Sequence, residues 1–186
     1  MSTIKEKVAT APGIELEVYK FGHGDKLALL IHGFPERAAC WEEQIQMLLD
    51  RGYVVWVPNL RGYEGSSVPR KVQDYAVSAL LSDMAELVDA AGKEKLLLIG
   101  HDAGAMLCWH FALQRVRKVD AMIVMGTFHP AKSLSLLQGV QALRSWYIGF
   151  FMMPGLPEFY SSMLEFTGVM RMLDRMAAKD PFRPTD

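Results

Sequence analysis

The sequence predicts an α/β protein: a doubly wound, mostly parallel sheet that runs into the start of a helical cap. Three observations carry this. Four short runs are apolar on both faces, as strands of a covered parallel sheet are: Leu27 to Ile31, Val54 to Val57, Leu96 to Ile99 and Ala121 to Met125. Helical patterns separate them. After Thr127 the strand pattern stops, and a helical pattern rich in aromatic and methionine residues takes over.

Taken in order, Ile14 to Tyr19 alternates apolar and polar residues, as a half-exposed strand does. Leu27 to Ile31 follows as a buried strand. Trp41, Ile45, Leu48 and Leu49 then share one helical face, with Trp41 expected to pack helix on sheet. Val54 to Val57 is the next strand. Val77, Leu80, Leu81, Met84, Leu87, Val88 and Ala91 make a cleaner stripe at helical spacing. Gly52 and Gly92 stand where helix C-terminal caps belong. Right-handed crossovers join such units. Residues 1–127 form the core in this reading. Residues 128–186 form an incomplete cap, broken at Pro154-Gly155-Leu156-Pro157, with a cluster at Trp146, Tyr147, Phe150, Phe151, Met152 and Met153. Ligands bind at the sheet's C-terminal edge beneath such a cap.

Composition narrows the function. The chain has 186 residues, 51% hydrophobic and 22% charged, enough for one domain with a core. A net charge of −1 argues against nucleic acid as a partner. No apolar run is long enough to span a bilayer, and the N-terminus lacks the apolar core of a signal peptide. Cys40 and Cys108 are both expected in helices as reduced, buried thiols, which suits the cytoplasm. Cys/His clusters with metal-ligand spacing and Gly-rich phosphate loops are lacking, so no metal and no cofactor is expected.

The chemistry sits in Gly100-His101-Asp102-Ala103-Gly104. A buried strand enters this turn and a helix leaves it, the context of a nucleophile elbow. Asp102 occupies the position where serine is usual. A serine oxygen alkylated at a saturated carbon becomes an ether, which resists water. An alkylated carboxylate becomes an ester, which water can open to regenerate the acid. The exchange therefore points to attack on a saturated carbon. His32-Gly33-Phe34-Pro35-Glu36 follows the Leu27–Ile31 strand, where one oxyanion donor belongs. The expected backbone N–H donors are those of Phe34 and Ala103, helped by the helix N-terminus. His32 and His101 flank the site but are poorly placed as a base, and His101 is expected to make a structural hydrogen bond. His23 and His110 look incidental. His129 ends a strand near the site and is the one histidine to test as an improvised base. Arg61-Gly62-Tyr63 through Pro69 reads as a structural loop rich in turn residues.

Together, His32-Gly33-Phe34-Pro35-Glu36, Arg61-Gly62-Tyr63, Gly100-His101-Asp102 and the stretch Ser145-Trp146-Tyr147 with Pro154 to Glu158 resemble the epoxide hydrolases of the α/β-hydrolase superfamily. The resemblance runs from Gly13 to about Glu158. It implies that Asp102 is the nucleophile that opens the epoxide. It also implies that Tyr147 is one of two cap tyrosines that hold and protonate the oxirane oxygen, a task a neutral phenol suits. Phe34, Pro35, Trp146 and Phe151 are the candidate substrate-binding residues, and the partner is a small epoxide or related electrophile. Haloalkane and haloacid dehalogenases share the aspartate elbow and stand as the alternative. Ala103 beside the nucleophile and Ile148 after Tyr147 argue against a tryptophan halide cradle. Many epoxide hydrolases resemble Gly-x-Asp-Trp-Gly, so Ala103 removes a pocket wall.

The resemblance also implies a later acid and histidine. After Asp102 the acids are Asp120, Glu158, Glu165, Asp174, Asp180 and Asp186, none ending a late strand, and no histidine follows His129. The expectation is an N-terminal part of an epoxide-hydrolase-like protein that alkylates Asp102 and stalls. A non-catalytic product that binds a ligand or associates with other chains is the remaining reading. Ala121–Met125 would be an open sheet edge, prone to self-association or to pairing with a full-length homologue.

Overall fold

The computed structural model describes residues 3–131, which lie in the first of two compact units, Met1–Ala131 and Lys132–Asp186. Six strands form one sheet: β1 (Thr3–Ala11), β2 (Ile14–Phe21), β3 (Lys26–Ile31), β4 (Tyr53–Pro58), β5 (Lys95–His101) and β6 (Ala121–Met125). Three helices join them: α1 (Glu42–Leu49), α2 (Val77–Ala91) and α3 (Ala103–Leu113). Short 3₁₀ turns at Ala38–Trp41 and Val72–Tyr75 precede α1 and α2.

The strand order is β1-β2-β4-β3-β5-β6. β1 and β2 pair antiparallel, and β2 runs antiparallel to β4. The β4–β3, β3–β5 and β5–β6 pairs are parallel. β3 lies at the centre, and only its first residue, Lys26, escapes full burial. Its unbroken apolar run follows from having a covered layer on each side.

Alternation along the strands divides the core in two. Leu27, Leu29, Ile31, Leu96 and Leu98 face α2 and α3, where Met84, Leu87 and Phe111 meet them. Ala28, Leu30, Val55, Val57, Leu97 and Ile99 face α1, where Trp41, Ile45 and Leu48 cover them. Trp41 packs helix layer on sheet as expected, from the 3₁₀ turn and not from α1 itself. α2 ends at Gly92, whose positive φ of 59° lets its N–H turn back to the carbonyls of Val88 and Asp89.

One strand is not anticipated by the sequence pattern and one reading needs correction. β1 has no counterpart in the apolar patterning, because Thr3 to Lys7 are all exposed and only Val8 and Thr10 turn toward the core. Cys40 is exposed: it sits in the 3₁₀ turn, whereas Cys108 is buried in α3. The turn aims Ala38 and Trp41 inward and leaves Cys40 on the outer side. Among the described residues, β6 pairs with β5 alone, and Ile123 and Met125 are 48% and 41% exposed.

Candidate active site

The site forms where β3 and β5 end side by side. Their parallel register sets Ile31 opposite Gly100, so the loop after β3 and the turn after β5 leave the sheet at one level. Asp102 makes the turn with φ 51° and ψ −120°, a conformation that costs a non-glycine residue about 1–3 kcal/mol. Its N–H donates to the Met125 carbonyl at 3.0 Å, and its own carbonyl accepts the Met106 N–H at 3.1 Å. The bend is thereby fixed between β6 and the first turn of α3.

The flanking glycines are steric requirements. A Cβ on Gly104 would lie 2.2 Å from the Ile31 carbonyl oxygen, and one on Gly100 would lie 2.7 Å from Cys108 Sγ. Helix and strands cross too closely for any side chain there. On the facing loop, a Cβ on Gly33 would lie 2.6 Å from Asp102 Cβ. That close approach lets the Phe34 N–H donate to Asp102 Oδ2 at 3.1 Å. Ala103, the other expected donor, is the first residue of α3. Phe34 is 50% exposed, Pro35 is exposed, and the peptide between them is cis.

Behind this loop lies His32, fully buried. Leu60 N–H donates to Nε2 at 3.0 Å, so Nε2 carries no proton. The ring proton therefore sits on Nδ1, which donates to the Gly33 carbonyl at 2.9 Å. Burial favours this neutral ring and lowers its pKa from 6.5. His101 turns from its neighbour Asp102 and pairs through Nδ1 with Glu36 Oε2 at 3.0 Å. His129 accepts the Ala131 N–H on Nδ1 at 3.1 Å and sets its ring edge-on to Trp109. Among the described residues no cluster of His, Cys, Asp and Glu could hold a metal ion, and no helix is long and apolar enough to cross a membrane. Tyr147, Trp146 and Phe151 lie outside the described residues.

Three residues here have no role assigned from sequence, although Glu36 and Tyr63 lie in the motifs that carry the resemblance. Glu36 ties the Phe34 loop to the elbow through His101. Tyr63 rests edge-on against His32, ring centres 4.5 Å apart. Its phenol is pushed up to about 12, first by burial and then by the negative charges of Asp102 and Glu36. Asp83 is buried in α2 and takes a two-pronged ion pair from Arg61, at 2.9 and 2.7 Å. Asp83 shares a helical face with Leu80, Met84 and Leu87, and a carboxylate in an apolar stripe was the available signal.

The family described as alpha/beta hydrolase fold matches residues 27–147. An AB hydrolase superfamily protein of Bacillus subtilis is 36% identical over 161 residues, covering 85% of this chain and 56% of that protein. Epoxide hydrolase A of Mycobacterium tuberculosis is 34% identical over 165 residues, covering 85% of this chain and 51% of its own. Among solved structures, an epoxide hydrolase from Vigna radiata superposes with a TM-score of 0.72 at 32% identity, over 86% of this chain and 53% of that one. The chain thus spans about half the length of the relatives it matches. With its parallel sheet, its glycine-bounded elbow and these matches, the chain belongs to the α/β-hydrolase fold family and within it is epoxide-hydrolase-like.

Proposed function

We propose that Asp102 is a covalent nucleophile toward a small epoxide. The observation that carries this is the elbow itself: a carboxylate in a strained turn, with Oδ2 held by the Phe34 N–H at 3.1 Å. That bond orients the carboxylate and leaves Oδ1 to attack. Oδ1 forms a bond to an epoxide carbon, the ring C–O bond breaks, and the freed oxygen takes a proton from a phenol. Tyr147 is the donor that the resemblance supplies. Water then adds to the ester's carboxyl carbon, the oxyanion forms on Oδ2 facing the Phe34 and Ala103 N–H groups, and collapse releases a diol.

The second half needs a base. His32 has both nitrogens engaged, His101 is turned to Glu36, and His129 faces Trp109. None of these three is free to take that proton, so in this reading the described residues carry the reaction to the ester and do not open it. Phe34 and Pro35 are the substrate contacts proposed among the described residues; the roles of Trp146 and Phe151 and the cap reading of 128–186 rest on the sequence and its resemblance alone. Among the described residues β6 pairs with β5 alone, which supports association with a second copy or with a longer homologue, tested by size-exclusion chromatography. Two free cysteines fit the reducing cytoplasm.

The test is intact-mass spectrometry after incubation with styrene oxide. One equivalent should add and persist, and Asp102→Asn should remove it. No adduct in the native chain contradicts the nucleophile, and sustained diol release contradicts the stall.

A further inference from the structure

The bond that orients Asp102 begins in a peptide plane whose other end is also tied down. The Gly33–Phe34 peptide donates its N–H to Asp102 Oδ2 at 3.1 Å and accepts His32 Nδ1–H on its carbonyl at 2.9 Å. The same carbonyl accepts the Glu36 N–H at 3.1 Å, and rotation of the peptide loses all three bonds together. His32 holds its ring by one further hydrogen bond, from the Leu60 N–H at 3.0 Å, and by the edge-on Tyr63 ring.

Leu60 is the middle of a tripeptide that leaves β4. On one side, Asn59 accepts the Ala38 N–H on Oδ1 at 2.9 Å and donates to Glu17 Oε2 at 3.0 Å. The loop from His32 to Ala38 is thus gripped at both ends by residues 59 and 60. On the other side, Arg61 is anchored by the buried pair with Asp83 and by a bond from Nη1 to the Asp74 carbonyl at 2.7 Å. Thr10 of β1 also donates to Asp83.

We propose that Arg61 and Asp83 are positioning residues for the attack step: their ion pair fixes residues 59–61, and through His32 these set the Gly33–Phe34 peptide against Asp102. The inference rests on the nucleophile reading above. A buried ion pair adds little net stability over an apolar pair of similar volume. A planar guanidinium fork does fix direction, which a lysine does not. What the pair supplies is geometry.

The experiment replaces the pair by Arg61→Met with Asp83→Leu, and separately makes the milder Arg61→Lys. Two quantities are read in the folded 186-residue chain: amide hydrogen exchange at Phe34 and at Leu87 by NMR, and the maximal rate of styrene oxide addition. In the double variant the Phe34 amide should exchange faster while Leu87 in α2 stays protected. The maximal addition rate should fall roughly tenfold to a hundredfold, as small misplacements do. The half-saturating epoxide concentration should stay unchanged, and Arg61→Lys should fall between the two. Unchanged exchange at Phe34, or equal loss of protection at Phe34 and Leu87, overturns the proposal. If even the native chain takes no adduct, the nucleophile reading fails, and the exchange comparison still decides this one.

Discussion

The Phe34 N–H and Asp102 Oδ2 meet at 3.1 Å although 68 positions separate the residues. Parallel pairing of β3 with β5 closes that gap, with Ile31 opposite Gly100. A slip of one residue in that register would turn the strand's side chains to the wrong face and part the two loops.

Strain at the elbow makes a first prediction. Asp102 holds φ 51°, which glycine adopts freely. Asp102→Gly relieves that strain and loses one hydrogen bond, terms of about 1–3 and about 1 kcal/mol. Urea unfolding should therefore show stability equal to the native chain or up to about 2 kcal/mol above it. Styrene oxide addition should vanish. A loss beyond about 2 kcal/mol would mean that the carboxylate is needed for the fold.

Gly104 gives the opposite result. A methyl group there meets the Ile31 and His32 carbonyl oxygens at 2.2 and 2.6 Å, and backbone cannot step aside. Gly104→Ala should lower stability by about 1–3 kcal/mol and displace the elbow, so adduct formation falls with it. Native-like stability in this variant would contradict the close crossing of α3 over β3.

His32 predicts a pH dependence. Burial lowers its folded pKa below 6.5, so between the two values the unfolded chain binds more protons. Its contribution to stability is complete above pH 6.5 and is lost as pH falls from 6.5 toward the depressed value. Carboxylates such as Glu17 and Asp120, whose pKa values are lowered from 4.5 and 3.8, act at lower pH. Urea midpoints measured from pH 7.5 to 5 should decline in the native chain and decline less in His32→Gln. Equal slopes in the two chains would remove His32 as the cause.

The cysteines make a separable prediction. Cys40 is pushed up to about 12, mainly by burial of the thiol and next by the Glu36 carboxylate. Little thiolate exists at pH 8, so a disulfide reagent should react slowly even though the residue is exposed. Removing the charge in Glu36→Gln should speed the reaction, by roughly twofold to tenfold. Cys108 should react only on unfolding. A slower Cys40 in Glu36→Gln would show that the carboxylate does not govern the thiol.

How far the sequence carries follows from what each residue does. β3 to β6 are legible because strands in a parallel sheet are apolar throughout, and the elbow is legible because its glycines sit at steric contacts. β1 is not: its exposed Thr3 to Lys7 carry no burial pattern, and only its partner makes it a strand. The Glu36–His101 and Arg61–Asp83 pairs join residues 65 and 22 positions apart. Pairing of that kind leaves no periodic trace. Arg61 and Tyr63 look like turn filler until the fold brings Asp83 and His32 against them.

Locating the adduct tests the nucleophile most directly. After styrene oxide treatment and proteolysis, fragment masses should assign the label to Asp102, and hydroxylamine should remove it as it removes an ester. Label on Cys40 or His101, or a bond that hydroxylamine leaves intact, would contradict attack by this carboxylate.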